Sequence, residues 1–90
     1  MRTIWKYELK SGSQEIAMPK GAVVLALQTQ KGNPCLWAEV DPKERLELRM
    51  FEMVETGHPI PTDMGVERRY VGTFQVKDGD FVFHVYEWGS

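Results

Sequence analysis

The sequence has little of what metal and thiol chemistry requires. It contains one cysteine, Cys35, and two histidines, His58 and His84. One thiol cannot form an intramolecular disulfide and is typical of a reducing compartment. No CxxC or HxxxH spacing is present, so no metal site is predicted. Because nucleophile and phosphate-loop motifs are also absent, the sequence predicts no enzymatic activity and no cofactor.

Long hydrophobic runs and an excess of positive charge are also lacking. The longest apolar run, Ala22 to Leu27, is far shorter than the about 20 residues of a membrane-spanning helix. No apolar core follows a basic start, so no signal peptide is predicted. With 11 Lys and Arg against 13 Asp and Glu, the formal net charge is −2. We therefore expect a soluble intracellular protein that binds neither nucleic acid nor membrane.

The composition is that of a small folded domain. The 90 residues are 42% hydrophobic and 27% charged, which predicts a single globular domain over residues 1–90. A chain of this length buries only roughly 60–65% of its surface on folding. Oligomerisation commonly covers further apolar area in such chains. We therefore expect a homo-oligomer, with a mass well above the 10.4 kDa of one chain.

Most of the chain alternates between apolar and polar residues with period two, which predicts β-strands. The predicted strands span residues 4–9, 14–18, 22–29, 35–40, 46–54, 69–76 and 81–88. Residues 43–54 also contain helix formers, but their alternation favours a strand. The sequence therefore predicts an all-β fold: a compact antiparallel β-sandwich or barrel of about seven strands, rich in hairpins and without a major helix.

Several predicted strands are apolar on both faces. The run 22–29 has the composition of a strand buried on both faces, joined to the next strand by a loop of about four residues. In the last strand, Phe81, Phe83 and Val85 share one face, and the opposite face carries Val82, His84, Tyr86 and Trp88. This excess of apolar residues predicts a sheet face that is covered by another subunit or that binds a ligand. Bulges that interrupt the alternation are the alternative explanation.

The segment ETGHPIPTDMGVERR, residues 55–69, interrupts the pattern. Pro59 and Pro61 fix their own φ angles and bias the preceding residues toward extended geometry. Such a stiff segment can present His58 and Ile60 to a ligand with little ordering entropy. The structural alternatives are a loop histidine bonded to backbone and prolines that only end a strand.

Arginines and aromatic residues provide further candidate ligand contacts. Arg68 and Arg69 follow the loop, and guanidinium groups suit phosphate oxygens, although a solvated pair facing acidic neighbours is the alternative. The strands also carry aromatic rings, at Trp37, Tyr86 and Trp88, on which nucleobases can stack. The alternative is that these rings anchor the core or a subunit interface. The predicted ligand site comprises His58, Pro59, Ile60, Trp37, Arg68, Arg69 and Tyr86.

Several motifs resemble those of a family of small, mostly uncharacterised bacteriophage proteins. They are MPKGA at 18–22, PCLWA at 34–38, GHPIP at 57–61, and GTFQ followed by FVFHV within 72–85. The resemblance runs from Trp5 to Glu87. It implies a protein of the host cytoplasm that acts as a sponge, binding and sequestering a cyclic nucleotide or dinucleotide immune signal without cleaving it. Inhibition of a host protein, a structural role in the virion, and nucleotide hydrolysis through His58 remain alternatives.

Overall fold

The computed structural model describes residues 1–60 and 65–89, which form seven antiparallel strands in two sheets. The strands are β1 Thr3–Glu8, β2 Ser13–Pro19, β3 Val23–Gln30, β4 Asn33–Val40, β5 Leu46–Glu55, β6 Glu67–Val76 and β7 Phe81–Gly89. The sheet orders are β1-β4-β3 and β2-β5-β7-β6. The predicted all-β antiparallel fold is confirmed. Within these residues the helical content is one 3-10 turn, Lys77–Gly79, and no helix there could span a membrane.

One hydrophobic core is built from one face of each sheet. Alternate residues of β4 point into it, so Leu36, Ala38 and Val40 are completely buried. Phe51 of β5 and Val85 of β7 contribute from the four-stranded sheet. Because residues two apart on a strand share a face, the period-two pattern supplies this core and leaves each sheet an outer face.

The β3–β4 hairpin is tighter than the predicted loop of about four residues. Gln30 pairs directly with Asn33, so Lys31 and Gly32 alone make the turn, with φ angles of 51° and 81°. Two positive φ angles are the signature of a type I′ turn, whose twist matches that of antiparallel strands. Pro34 lies inside β4, opposite Thr29, near the strand start, where proline is tolerated.

The expectation that the third strand is buried on both faces is wrong. Val23 and Leu25 of β3 are both half exposed. β3 is the terminal strand of the three-stranded sheet, and a bulge between Val24 and Ala26 shifts its register. Apolar composition alone does not distinguish a central strand from a terminal one. The ambiguous segment is strand only from Leu46 onward.

Tyr7 of β1 holds its hydroxyl group in a buried position. The oxygen has no hydrogen-bond partner among the described residues. Burial raises the pKa of Tyr7, and the positive charge of Arg49 partly opposes that rise. A buried hydroxyl without a partner loses its bonds to water on folding and gains none in return.

Replacing this residue, Tyr7→Phe, is expected to leave stability at neutral pH unchanged or to raise it by about 1 kcal/mol. The pKa of the Tyr7 hydroxyl is higher in the folded state than in the unfolded state. The stability linked to its protonated form is therefore fully present below about pH 10 and is lost as the pH rises through the pKa of the folded state. Urea denaturation between about pH 9 and 11 should therefore show a steeper loss of stability in the wild type than in the variant. Parallel declines would contradict this expectation.

Candidate functional site

A hollow of about 190 Å³ lies beside the connection that leaves β5. Its walls include Val54, Thr56, His58, Ile60, His84 and Tyr86, and we call it the His58 hollow. Three residues of the predicted ligand site, His58, Ile60 and Tyr86, therefore come together here. Pro59, the neighbour of His58 and Ile60, is exposed.

A tight turn after β5 creates the His58 hollow. Thr56 N–H donates to the Val82 carbonyl at 3.0 Å, and His58 N–H donates to the Glu55 carbonyl at 3.0 Å. Gly57 reverses the chain with a φ of 91°, a conformation that glycine adopts without steric cost. The His58 imidazole is exposed and lies 3.6 Å from the Glu55 carboxylate. The predicted stiffening by Pro61 falls outside the described residues.

His84 forms one wall of the hollow and is held through both ring nitrogens. Its Nε2 lies 2.7 Å from Thr56 Oγ1 and its Nδ1 lies 2.9 Å from Thr73 Oγ1. The Thr56 hydroxyl is 3.2 Å from the Val82 carbonyl, so it donates there and accepts a hydrogen bond from Nε2–H. The Thr73 hydroxyl also contacts the Tyr70 hydroxyl. These contacts fix the orientation of the His84 ring.

The second nearby feature is a buried cluster on the outer face of the four-stranded sheet. Arg68 Nε donates to Glu52 Oε1 at 2.6 Å, and Trp88 Nε1 donates to the same oxygen. The Arg68 guanidinium carbon lies 5.7 Å from the centroid of the Trp88 ring. Glu52 is only 4% exposed, so its charge depends on these donors. The cluster fixes the Trp88 indole next to Tyr86.

Arg69 lies on the opposite side of β6 from Arg68, next to a second buried ion pair. Arg49 holds Glu87 in a bidentate pair at 2.6 and 2.8 Å and donates to the Ala22 carbonyl at 2.6 Å. The hydrogen bond to Glu87 raises the pKa of Arg49, and burial partly opposes that rise. The Arg69 side chain is 69% exposed and lies 3.9 Å from the Glu87 carboxylate.

These residues line two adjoining cavities of about 460 and 340 Å³. Both cavities are bordered by Ala22, Arg49, Arg69 and Glu87, and the larger one also reaches Trp88. We call the larger cavity the Arg69 cleft. It lies at the end of β7, whereas the His58 hollow lies farther back along the same strand.

Trp37 is separated from the other predicted ligand residues. It lies on β4, between Lys6 of β1 and Ala26 of β3, on the outer face of the three-stranded sheet. It lines neither the His58 hollow nor the Arg69 cleft. The described residues include no group of three or more His, Cys, Asp or Glu side chains positioned to hold a metal ion.

Three residues that shape these sites were left out of the predicted ligand set, although Trp88 was considered as a stacking ring. They are Glu52, His84 and Trp88. The signal was present for two of them, because His84 and Trp88 alternate with Tyr86 on one face of β7. Glu52 carried no such signal, since an acidic residue on an alternating strand normally marks the solvated face.

Comparison with known proteins identifies a family but no activity. Residues 1–89 match the family described as "Domain of unknown function (DUF7352)". No curated protein matches the chain, and no solved structure does.

Proposed function

We propose that this chain, which belongs to the DUF7352 family, binds and sequesters a cyclic nucleotide or dinucleotide without cleaving it. The observation that carries the proposal is the His58 hollow, where the Tyr86 ring, the apolar Ile60 and the exposed His58 border one cavity. An aromatic face and apolar walls suit a nucleobase, and an exposed imidazole suits its polar edge. At about 190 Å³ the hollow is smaller than the about 300–1,000 Å³ of typical ligand pockets. It therefore accepts one ring of a larger ligand.

The hydrogen bonds of His84 support a role in binding and not in catalysis. A general base needs a free nitrogen within reach of the proton that it removes. Both nitrogens of His84 are occupied by threonine hydroxyls. The exposed His58 lies 3.6 Å from the Glu55 carboxylate, which can orient its imidazole toward a bound ligand.

The sequence motifs also imply where the protein acts. We infer a bacteriophage protein that acts in the host cytoplasm as a homo-oligomeric sponge for an immune signal. Leu48 and Tyr70 are exposed on the outer face of the four-stranded sheet, which supports a second copy covering part of that face. The same residues favour a second candidate function, direct binding of a host protein, because exposed aromatic and aliphatic side chains anchor protein interfaces.

Ligand recovery after heat denaturation tests the proposed function. The purified protein is incubated with cyclic mononucleotides and dinucleotides of adenine, guanine and uracil, desalted and heated, and the supernatant is analysed by mass spectrometry. Recovery of at least one intact nucleotide is the expected result. Recovery of a hydrolysed product would establish an enzyme. Failure to retain any of these nucleotides would overturn the proposal and favour a protein partner.

Replacing the stacking residue, Tyr86→Ala, is expected to weaken nucleotide binding about 10- to 100-fold, because stacking on one aromatic ring contributes about 1–3 kcal/mol. His58→Ala is expected to cost about 5- to 10-fold through the loss of one hydrogen bond. Tyr86→Phe keeps the ring and should bind nearly as tightly as the wild type. Affinities come from isothermal titration calorimetry, and circular dichroism checks folding.

Trp37→Ala serves as the control on the other sheet. It should leave the affinity unchanged if the ligand occupies the His58 hollow. Loss of binding in Trp37→Ala together with full binding in Tyr86→Ala would instead assign the ligand to the three-stranded sheet.

A further inference from the structure

The His58 hollow lies on the outer face of β7, and the Arg69 cleft lies at the end of that strand, where Trp88 of the outer face and Arg69 of the inner face both line it. Tyr86 lines the hollow, and Trp88, two residues later on the same face, lines the cleft. At a rise of about 3.4 Å per residue, the two side chains leave the strand about 7 Å apart. We infer that the ligand is a dinucleotide whose second base stacks on Trp88 and whose phosphate contacts Arg69. This inference rests on the proposed function and adds a second subsite to it.

The sizes of the two cavities support two subsites, one for each base of the dinucleotide. The hollow, at about 190 Å³, accommodates one base. The cleft, at about 460 Å³, lies within the about 300–1,000 Å³ range of sites that hold a complete small ligand. A mononucleotide anchored in the hollow leaves the cleft empty, whereas a dinucleotide fills both.

Trp88 is prepared for stacking before any ligand binds. Its indole N–H is bonded to the buried Glu52, and Arg68 lies over one face of the ring, so a base would stack on the other face. A side chain that is already fixed loses little rotational freedom on binding. Glu52 and Arg68 are positioning residues in this inference, since they act through Trp88.

Arg69 is the group in the cleft best suited to a phosphate. Its side chain is 69% exposed, and its guanidinium makes a contact of 3.9 Å with Glu87. Arg49 neutralises Glu87 through the bidentate pair, and Arg45 lies 3.6 Å from Glu47 at the rim. Because each of these carboxylates is paired with another arginine, the positive charge of Arg69 can attract an anion. Its planar guanidinium group can donate two parallel hydrogen bonds to phosphate oxygens.

The experiment compares matched ligands by isothermal titration calorimetry. The probes are cyclic di-AMP with cyclic AMP, cyclic di-GMP with cyclic GMP, and cyclic di-UMP with cyclic UMP. For the base that the protein prefers, the dinucleotide should bind at least about 10-fold more tightly than the mononucleotide, as expected when a second ring stacks on an aromatic side chain.

Trp88→Ala should weaken binding of that dinucleotide about 10- to 100-fold, the loss expected for one stacked base, and change mononucleotide affinity by less than about twofold. Arg69→Gln should weaken dinucleotide binding about 10-fold and reduce its dependence on salt, because a screened charge–phosphate contact is removed. Arg2→Gln, which removes an arginine from the three-stranded sheet, is the matched control and should have no effect. Trp88→Phe, which keeps the ring and loses the bond to Glu52, should give an intermediate affinity.

The outcomes separate the two claims. If no nucleotide binds the wild type, the proposed function itself fails. If Tyr86→Ala weakens binding while Trp88→Ala and Arg69→Gln do not, the proposed function stands and the second subsite is overturned. Equal affinity for the dinucleotide and the mononucleotide also overturns it. Arg69→Gln keeps the inference falsifiable if Trp88→Ala does not fold, because Arg69 is an exposed residue.

Discussion

Replacing Arg49 by methionine is expected to lower the free energy of unfolding by about 3–5 kcal/mol, the usual cost of removing one partner from a buried ion pair. The side chains of Arg49 and Glu87 are 21% and 10% exposed, so the remaining carboxylate is poorly hydrated. The Ala22 carbonyl also loses its donor. Arg69, at 3.9 Å from Glu87, recovers part of the loss, which favours the lower end of the range.

The double variant Arg49→Met with Glu87→Met should recover most of that stability, because apolar residues of similar volume commonly replace a buried pair at little cost. Urea denaturation of both single variants and the double variant completes the thermodynamic cycle. The control pair is Arg2 with Glu39, which has the same 2.6 Å separation but is 43% and 44% exposed. Arg2→Met should cost only about 0–1 kcal/mol. Equal losses at the two sites would show that burial does not set the energy of this pair.

Phe51→Ala is expected to destabilise the fold by about 3–5 kcal/mol, the range for truncating a large buried aromatic side chain. Phe51 is completely inaccessible to solvent and lies in the core contributed by both sheets. The cost combines lost burial with the cavity left behind, since neighbouring strands relax only partly. A domain of this size has roughly 5–15 kcal/mol of stability in total, so the variant should be near the limit of folding.

Phe81→Ala provides the comparison, because it removes the same side chain from a position that is 38% exposed. It should cost less than half as much, and Phe51→Leu should cost less than about 1.5 kcal/mol because most of the volume is kept. The midpoints of urea denaturation at constant slope give these differences. A Phe81→Ala variant as unstable as Phe51→Ala would contradict the assignment of Phe51, and not Phe81, to the centre of the core.

The strands were predictable because alternate residues of a half-buried strand face the core and the solvent, so apolar and polar residues alternate along the sequence. β4 and β7 follow this pattern, and their faces are those that the alternation predicts. The exposed β3 was mispredicted because an apolar run does not reveal how many neighbours a strand has. The length of the β3–β4 turn was also missed, because Pro34 reads as a loop residue although it lies inside the strand.

The candidate site was predictable only in part. The proximity of His58 and Ile60 follows from the chain itself, whereas their position in one hollow with Tyr86 depends on pairing between β5 and β7. Arg68 and Arg69 were treated as one pair, yet neighbouring residues on a strand point to opposite faces. One therefore contacts Glu52 and the other approaches Glu87.

The sequence by itself determined the all-β class, the positions of most strands and the two faces of each, because these depend on neighbours along the chain. Only the tertiary structure decided which faces meet. It separated Trp37 from Tyr86, placed one in each sheet, and buried Glu52 beneath Trp88. The physical reason is that antiparallel pairing joins residues far apart in the chain, and their partners are selected by the packing of the complete core.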